Sequence, residues 1–135
     1  MPASAPLGSV LRQAEQRQIE LGDRLALLPG AQRHESRFEG EICLVAESLR
    51  LDAVSAVVEE LLGPPAKPAN VEVPAALAGA PLVEAIGGLR ANQTLYLIDL
   101  GGGVSLYAAY WPWGGGARFT IKLGVYVLGA PAEPL

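Results

Sequence analysis

Residues 94–128 read TLYLIDLGGGVSLYAAYWPWGGGARFTIKLGVYVL, and whether this stretch is taken as helix, membrane span or sheet decides the fold. Three apolar runs, 94–100, 104–111 and 117–128, are separated by GGG and by PWGGG. In the third run Phe119, Ile121, Leu123, Val125 and Val127 alternate with Arg118, Thr120, Lys122 and Tyr126. A period of two residues is the mark of a half-buried strand. The connections are far too short for the crossover that a parallel pair needs, so the stretch predicts an antiparallel meander. Val104, Leu106, Ala108 and Tyr110 should share the buried face. The opposite face then carries Tyr107, Ala109 and Trp111 beside Arg118, Thr120, Lys122 and Tyr126, which makes it aromatic and mildly basic.

Two sharper readings of the same stretch lose to this one. Residues 95–113 contain a single charge, Asp99, which invites a membrane span. Three adjacent glycines at the centre, Pro112 and the internal acid make a poor lone helix in lipid. A glycine phosphate cradle needs a loop leading from strand into helix, so that backbone N–H groups and the helix dipole converge on the anion. Here both GGG loops lead from strand to strand. Leu106 and Phe119 stand where the last glycine of GxGxxG would fall. Both loops therefore read as hairpin turns, where glycine supplies positive φ.

Working outwards, Leu7, Leu11, Ala14, Gln18, Leu21, Leu25 and Leu28 recur at spacings of four and three, which puts them on one stripe of a helix. The helix should start near Ser4 or Ser9 and stop at Pro29 and Gly30. Its stripe packs either on its own domain or on a second helix, which makes Leu7, Leu11, Leu21 and Leu25 candidate contacts of an intermolecular pair. Residues 31–40 are polar and read as a loop. Ile42, Val45, Leu49, Ala53, Ala56 and Glu60 keep helical spacing, yet ICLVA suits a short buried strand. The favoured reading is a strand near 41–46, then a helix from Asp52, a good N-cap, to Leu62, ended by Gly63, Pro64 and Pro65. Residues 63–81 hold five of the eleven prolines and form a stiff connector, with room for an edge strand at 70–73. Pro81 suits the first position of a short helix over 81–89, interrupted at Gly87 and Gly88. The expected architecture is a single α+β domain over 1–135. It has a helical part over 1–63, the connector over 63–81, and N-terminal helices packed on a C-terminal antiparallel meander of three or more strands over 93–128.

At 135 residues one core suffices without staples. Only 18% of the residues are charged, against about 25% in ordinary soluble domains, and this predicts buried interface. A net charge of −4 argues against nucleic acid, which demands a basic surface. Residues 1–60 carry ten acids against six Lys and Arg, whereas residues 85–128 carry Asp99 against Arg90, Arg118 and Lys122. Cys43 has no partner for an internal disulfide, and the first ten residues lack a secretory leader, so the expectation is a cytoplasmic protein. Ala, Gly, Pro and Leu are abundant, with eight Arg to two Lys, a usage associated with GC-rich bacterial coding.

Candidate chemistry is sparse. His34 and Glu35 are half of an HExxH motif, but position 38 is Phe and no second histidine exists, so no metal site is expected. Cys43 with His34 would make a nucleophile and base, yet Cys43 lies between Ile42 and Leu44, where a thiol is usually a small core group. Asp99 reads as a turn-flanking acid or an ion-pair partner of Lys122. Trp111 and Trp113 read as core caps or as contact anchors, since Trp, Tyr and Arg dominate interface hot spots. The resulting expectation is a non-catalytic assembly subunit without a cofactor, a homodimer held through the helix stripe or the sheet. Its candidate contacts on the sheet are Tyr107, Trp111, Trp113, Arg118, Lys122 and Tyr126. The alternative is a small-ligand site or enzyme in which Tyr107, Trp111, Arg118, Lys122 and Tyr126 stack on a planar anion.

Overall fold

The computed structural model describes residues 7–36 and 40–128. Its fold is α+β, with the two longer helices in the N-terminal half and a five-stranded antiparallel sheet. The meander is as the alternation requires: β3 (Thr94–Gly101), β4 (Val104–Pro112) and β5 (Arg118–Val127) pair in sequence order. The first GGG is its tight turn, with φ of 95°, 62° and 79° at Gly101, Gly102 and Gly103, values that a side chain would resist. Asp99 flanks that turn, its Oδ1 accepting the Gly101 N–H at 2.8 Å, and Lys122 is engaged elsewhere.

The N-terminal half supplies two more strands on the far edge of β5. β2 (Ile42–Glu47) runs antiparallel to β5, from Ile42 opposite Leu123 to Glu47 opposite Arg118. β1 (Ala31–His34) then pairs with β2, so the sheet order is β1-β2-β5-β4-β3. β1 corrects the loop reading of 31–40. As a four-residue edge strand with Gln32, Arg33 and His34 all exposed, it has no buried face to impose a period of two on its sequence.

α1 (Leu7–Ala26) crosses the face built from Leu106, Ala108, Ile121 and Leu123. Leu21 and Leu25 are wholly buried there, against the chain's own sheet and α2 (Leu51–Leu62), and Ala14 is wholly buried beside Val10 and Val104. Leu21 and Leu25 thus have no surface left for another helix, and Leu11 is half-buried beside Val104 and Val125. Ser4 and the Leu7 side chain lie outside the described residues. α2 begins through a 3₁₀ turn at Ser48–Arg50, and its N-cap is Arg50, without a side-chain cap. Asp52 is therefore no cap; it stands in the first turn, where negative charge favours the helix dipole. Val54, Val58 and Leu62 enter the core, and the Tyr96 hydroxyl donates to Glu59 Oε2 at 2.7 Å, tying α2 to β3.

The other face is covered at one end. α3 (Pro81–Ala85), with Pro81 in its first turn, lays Leu82 and Val83 on Leu95, Tyr107 and Ala109. It stops at Ala85, well short of 89. No strand forms at 70–73, where Asn70 turns with φ of 61°. The connector meets the sheet earlier, at an isolated antiparallel bridge between Lys67 and Leu95. The Lys67 side chain is wholly buried, its Nζ donating to the Ala91 carbonyl and, at 2.5 Å, to the Gln93 carbonyl. Burial pushes its pKa below the ordinary lysine value.

Two opposed terms meet in that ammonium: desolvation penalises it, and two charge-assisted hydrogen bonds favour it. Lys67→Met keeps the apolar stem and leaves the buried Gln93 carbonyl without its lysine donor, while the Ala91 carbonyl keeps the Asn70 N–H. It should destabilise the fold by about 1–3 kcal/mol. Amide exchange locates the loss. The Leu95 N–H, which donates to the Lys67 carbonyl at 3.0 Å, should exchange faster in the variant while β4 and β5 stay protected. Unchanged protection at Leu95 would mean that the ammonium does not hold the connector down.

Candidate functional site

Strand register sets out the sheet face that α1 and α2 do not cover. In one row His34 lies opposite Cys43, Cys43 opposite Lys122, Lys122 opposite Ala109, and Ala109 opposite Leu95. The next row runs Gln32, Val45, Thr120, Trp111. Side chains in such rows share a face, because directly opposed residues of an antiparallel pair point the same way. The α3 segment covers the β3 and β4 end of the rows. The predicted aromatic and basic face is thereby divided. Tyr107 is only 8% exposed under α3, Trp111 and Tyr126 are partly buried at its margin, and Arg118 and Trp113 stand exposed at the hairpin tip. Lys122 turns inwards, its Nζ 4.8 Å from the Trp111 ring centroid, a cation–π distance.

At the tip, Trp113 is held rather than merely exposed. Its indole N–H donates to Thr120 Oγ1 at 2.9 Å, its backbone N–H donates to the Arg118 carbonyl at 2.9 Å, and the Arg118 guanidinium lies 5.8 Å over its ring. The ring nevertheless leaves the residue 44% exposed. The 3₁₀ turn docks beside it, with the Ser48 N–H and hydroxyl donating to the carbonyls of Ala117 and Gly116. Leu49 on that turn is 91% exposed. Between the turn and residues 116–118 lies an open hollow of about 540 Å³.

A second cavity, of about 520 Å³, lies where β2 ends and β5 continues. Leu11, Glu15 and Gln18 of α1 line it, with Glu41, Glu84 and Tyr107 among the other walls. Lys122 and Tyr126 reach it as well, so three of the residues proposed for a planar anion do share a concavity. Trp111 and Arg118 do not belong to its lining. Among the described residues, three carboxylates against one ammonium set this cleft against an anion.

His34 and Cys43 come together as nearest cross-strand neighbours, with Lys122 on the other side of the thiol. The surroundings do not activate it. Burial pushes the Cys43 thiol up, Glu41 pushes it further, and Lys122 offsets only part of this, so the nucleophilic thiolate is depleted. Among the described residues no group of three or more His, Cys, Asp or Glu side chains is placed to hold a metal ion, and no helix is long and apolar enough to cross a membrane.

Sequence reasoning missed Leu49, Glu15, Glu41 and Glu84. The carboxylates arrive from three separate segments whose spacing carries no signal. Gln18 did carry one, a polar residue on the apolar stripe, and it proves to be buried with its amide donating to two backbone carbonyls. Set against protein-family models, curated proteins and solved structures, the chain matches none.

Proposed function

We propose that this protein is a non-catalytic interaction subunit that pairs with a second copy of itself through the tip of the β4–β5 hairpin. The observation that carries the reading is Trp113. It is a large aromatic side chain fixed by an indole hydrogen bond and an overlying guanidinium, yet presented to solvent on the hairpin tip where the turn carrying the exposed Leu49 docks. A preorganised aromatic loses little rotamer freedom on binding, which is why such residues anchor interfaces. The tip also has a projection and a hollow side by side, as a two-fold contact of identical patches requires, with the indole of one copy entering the hollow of the other. The low charge fraction of the meander supports the same reading.

Light scattering over a range of concentrations tests it. The wild type should tend to twice the chain mass of 14.1 kDa, and Trp113→Ala and Leu49→Glu should each return it to the monomer without loss of secondary structure. A wild type that stays monomeric at tens of micromolar sinks the self-pairing. The alternative, a small-ligand site or enzyme on the same sheet face, draws on the cleft beside Tyr107. A small molecule retained by the purified protein in native mass spectrometry would favour it.

A further inference from the structure

β5 outruns its neighbour at one end of the sheet. β2 follows it only as far as Ile42 opposite Leu123, whereas β4 continues to Val104 opposite Val127. Among the described residues, Gly124–Val127 therefore have a strand on one side only. The aim of their backbone groups follows from the hairpin. The Trp113 N–H donates to the Arg118 carbonyl, and the Leu128 N–H to the Gly103 carbonyl, so even-numbered positions of β5 face β4. By the alternation of an antiparallel ladder, Val125 and Val127 point their N–H and C=O groups at the outer side. Gln18 marks where that edge begins. Its Nε2 donates to the Leu123 carbonyl at 2.8 Å and to the Gly40 carbonyl at 2.6 Å, standing in for a strand where β2 leaves off.

The 520 Å³ cleft opens along this edge, with Gly124, Val125 and Tyr126 in its lining. Among the described residues, Glu15 from α1, Glu84 from α3 and Glu41 just before β2 give it three carboxylates, against the ammonium of Lys122, which lies over Trp111. We infer that this edge accepts an extended, basic segment of a partner protein, added to β5 as a further strand. Main-chain hydrogen bonds to Val125 and Val127 would hold the segment, and the carboxylates would select its side chains, as in strand addition generally. The Val125 side chain packs on the α1 side of the sheet and the Tyr126 side chain on the α3 side. Successive residues of an added strand must alternate likewise. One would face Glu15 and the next Glu84, so the segment that fits carries two adjacent Lys or Arg residues flanked by apolar ones. Pairing of this edge with the same edge of a second copy would crowd two sets of carboxylates together, and an anionic lipid or nucleic acid would meet the same charges. The inference uses residues other than the hairpin tip and stands apart from the pairing proposed there.

The probe is a capped six-residue peptide, Thr-Val-Lys-Arg-Val-Thr, titrated into the full chain and followed by amide shifts and exchange. Shifts and slowed exchange should centre on Val125 and Val127. Glu15→Gln and Glu84→Gln should each weaken binding about 2- to 5-fold, the range for an exposed ion pair. A peptide with two Glu in place of Lys-Arg should not bind, and methylation of alternate peptide nitrogens should abolish binding. Trp113→Ala should bind as the wild type does, which separates this edge from the tip. The inference is overturned if the methylated peptide binds equally well, if the shifts fall elsewhere, if both Gln variants bind unchanged, if the edge proves to join two copies, or if no binding is seen at millimolar peptide.

Discussion

Raised through alkaline pH, the protein should unfold cooperatively between about pH 11 and 13, and most of its tyrosine ionisation should occur in that same step. Tyr96, Tyr107 and Tyr110 are buried, and burial is the first cause that pushes each phenol above its ordinary value of 10.0. Carboxylates add to it, Glu59 at Tyr96 and Tyr110, and Glu41 at Tyr107, while the Ser55 hydroxyl works the other way at Tyr96 and Tyr110. An acid whose folded pKa is raised holds its proton after the unfolded chain has lost it. Its contribution to stability is whole below pH 10 and declines as pH rises towards the folded value. A phenol still protonated in the fold removes about 1.4 kcal/mol per pH unit above 10, so Tyr107 and Tyr110 together remove about 3 kcal/mol per unit and Tyr96 acts in the same direction, against a total stability of about 5–15 kcal/mol.

Lys67 runs in the opposite direction, since a lowered lysine binds fewer protons folded than unfolded. It adds stability as pH rises, but as one group against three, and only until the unfolded value of 10.5 is passed. Phenolate absorbance and circular dichroism followed on one sample decide the matter. Reversible titration of the phenols near pH 10 with the helix signal intact would refute it. Tyr110→Phe should make the fall shallower by about 1.4 kcal/mol per pH unit, because it deletes one of these protons; it also removes a 3.3 Å contact to Ser55 and a hydrogen bond with Tyr96.

The tyrosines also show what could and could not be read in advance. Tyr110 belonged to an alternating run, so its inward face followed from the pleat alone. Tyr107 lies one pleat out of phase, on the opposite, aromatic and basic face, whose cover the alternation does not reveal. The cover that buries it, α3, is five residues long and brings only Leu82 and Val83 fully to bear, too little to announce itself by helical period. β1 was hidden for the converse reason, being polar except for Ala31 and existing only through its pairing with β2. At the tip, Trp113 could be singled out because an aromatic beside a glycine turn is costly to expose. The hollow next to it depends on Ser48 and Leu49, more than sixty positions away in sequence, and no local pattern joins them.

Gly124→Ala should cost the fold about 2–4 kcal/mol although the position is an ordinary strand residue whose backbone needs no glycine. The cause is space. Gly124 lies directly opposite Tyr107, whose ring crosses it so closely that a methyl group there would come within 2.3 Å of the hydroxyl oxygen and 2.4 Å of Cζ. The ring cannot yield slightly, because Leu82 and Val83 pack against it, so it must leave. Losing the burial of one aromatic side chain accounts for a cost of about 4 kcal/mol at most. Chemical denaturation of the single and double variants isolates the effect. Tyr107→Ala alone should cost about 3–5 kcal/mol, but adding Gly124→Ala to it should cost close to nothing, a coupling of at least about 2 kcal/mol between opposed residues. Additive costs would show that the ring does not determine the glycine. The alkaline transition supplies an independent check. A Tyr107 expelled by Gly124→Ala ionises near its ordinary value in folded and unfolded chains alike, so the variant's stability should fall with pH by about 1.4 kcal/mol per unit less than that of the wild type.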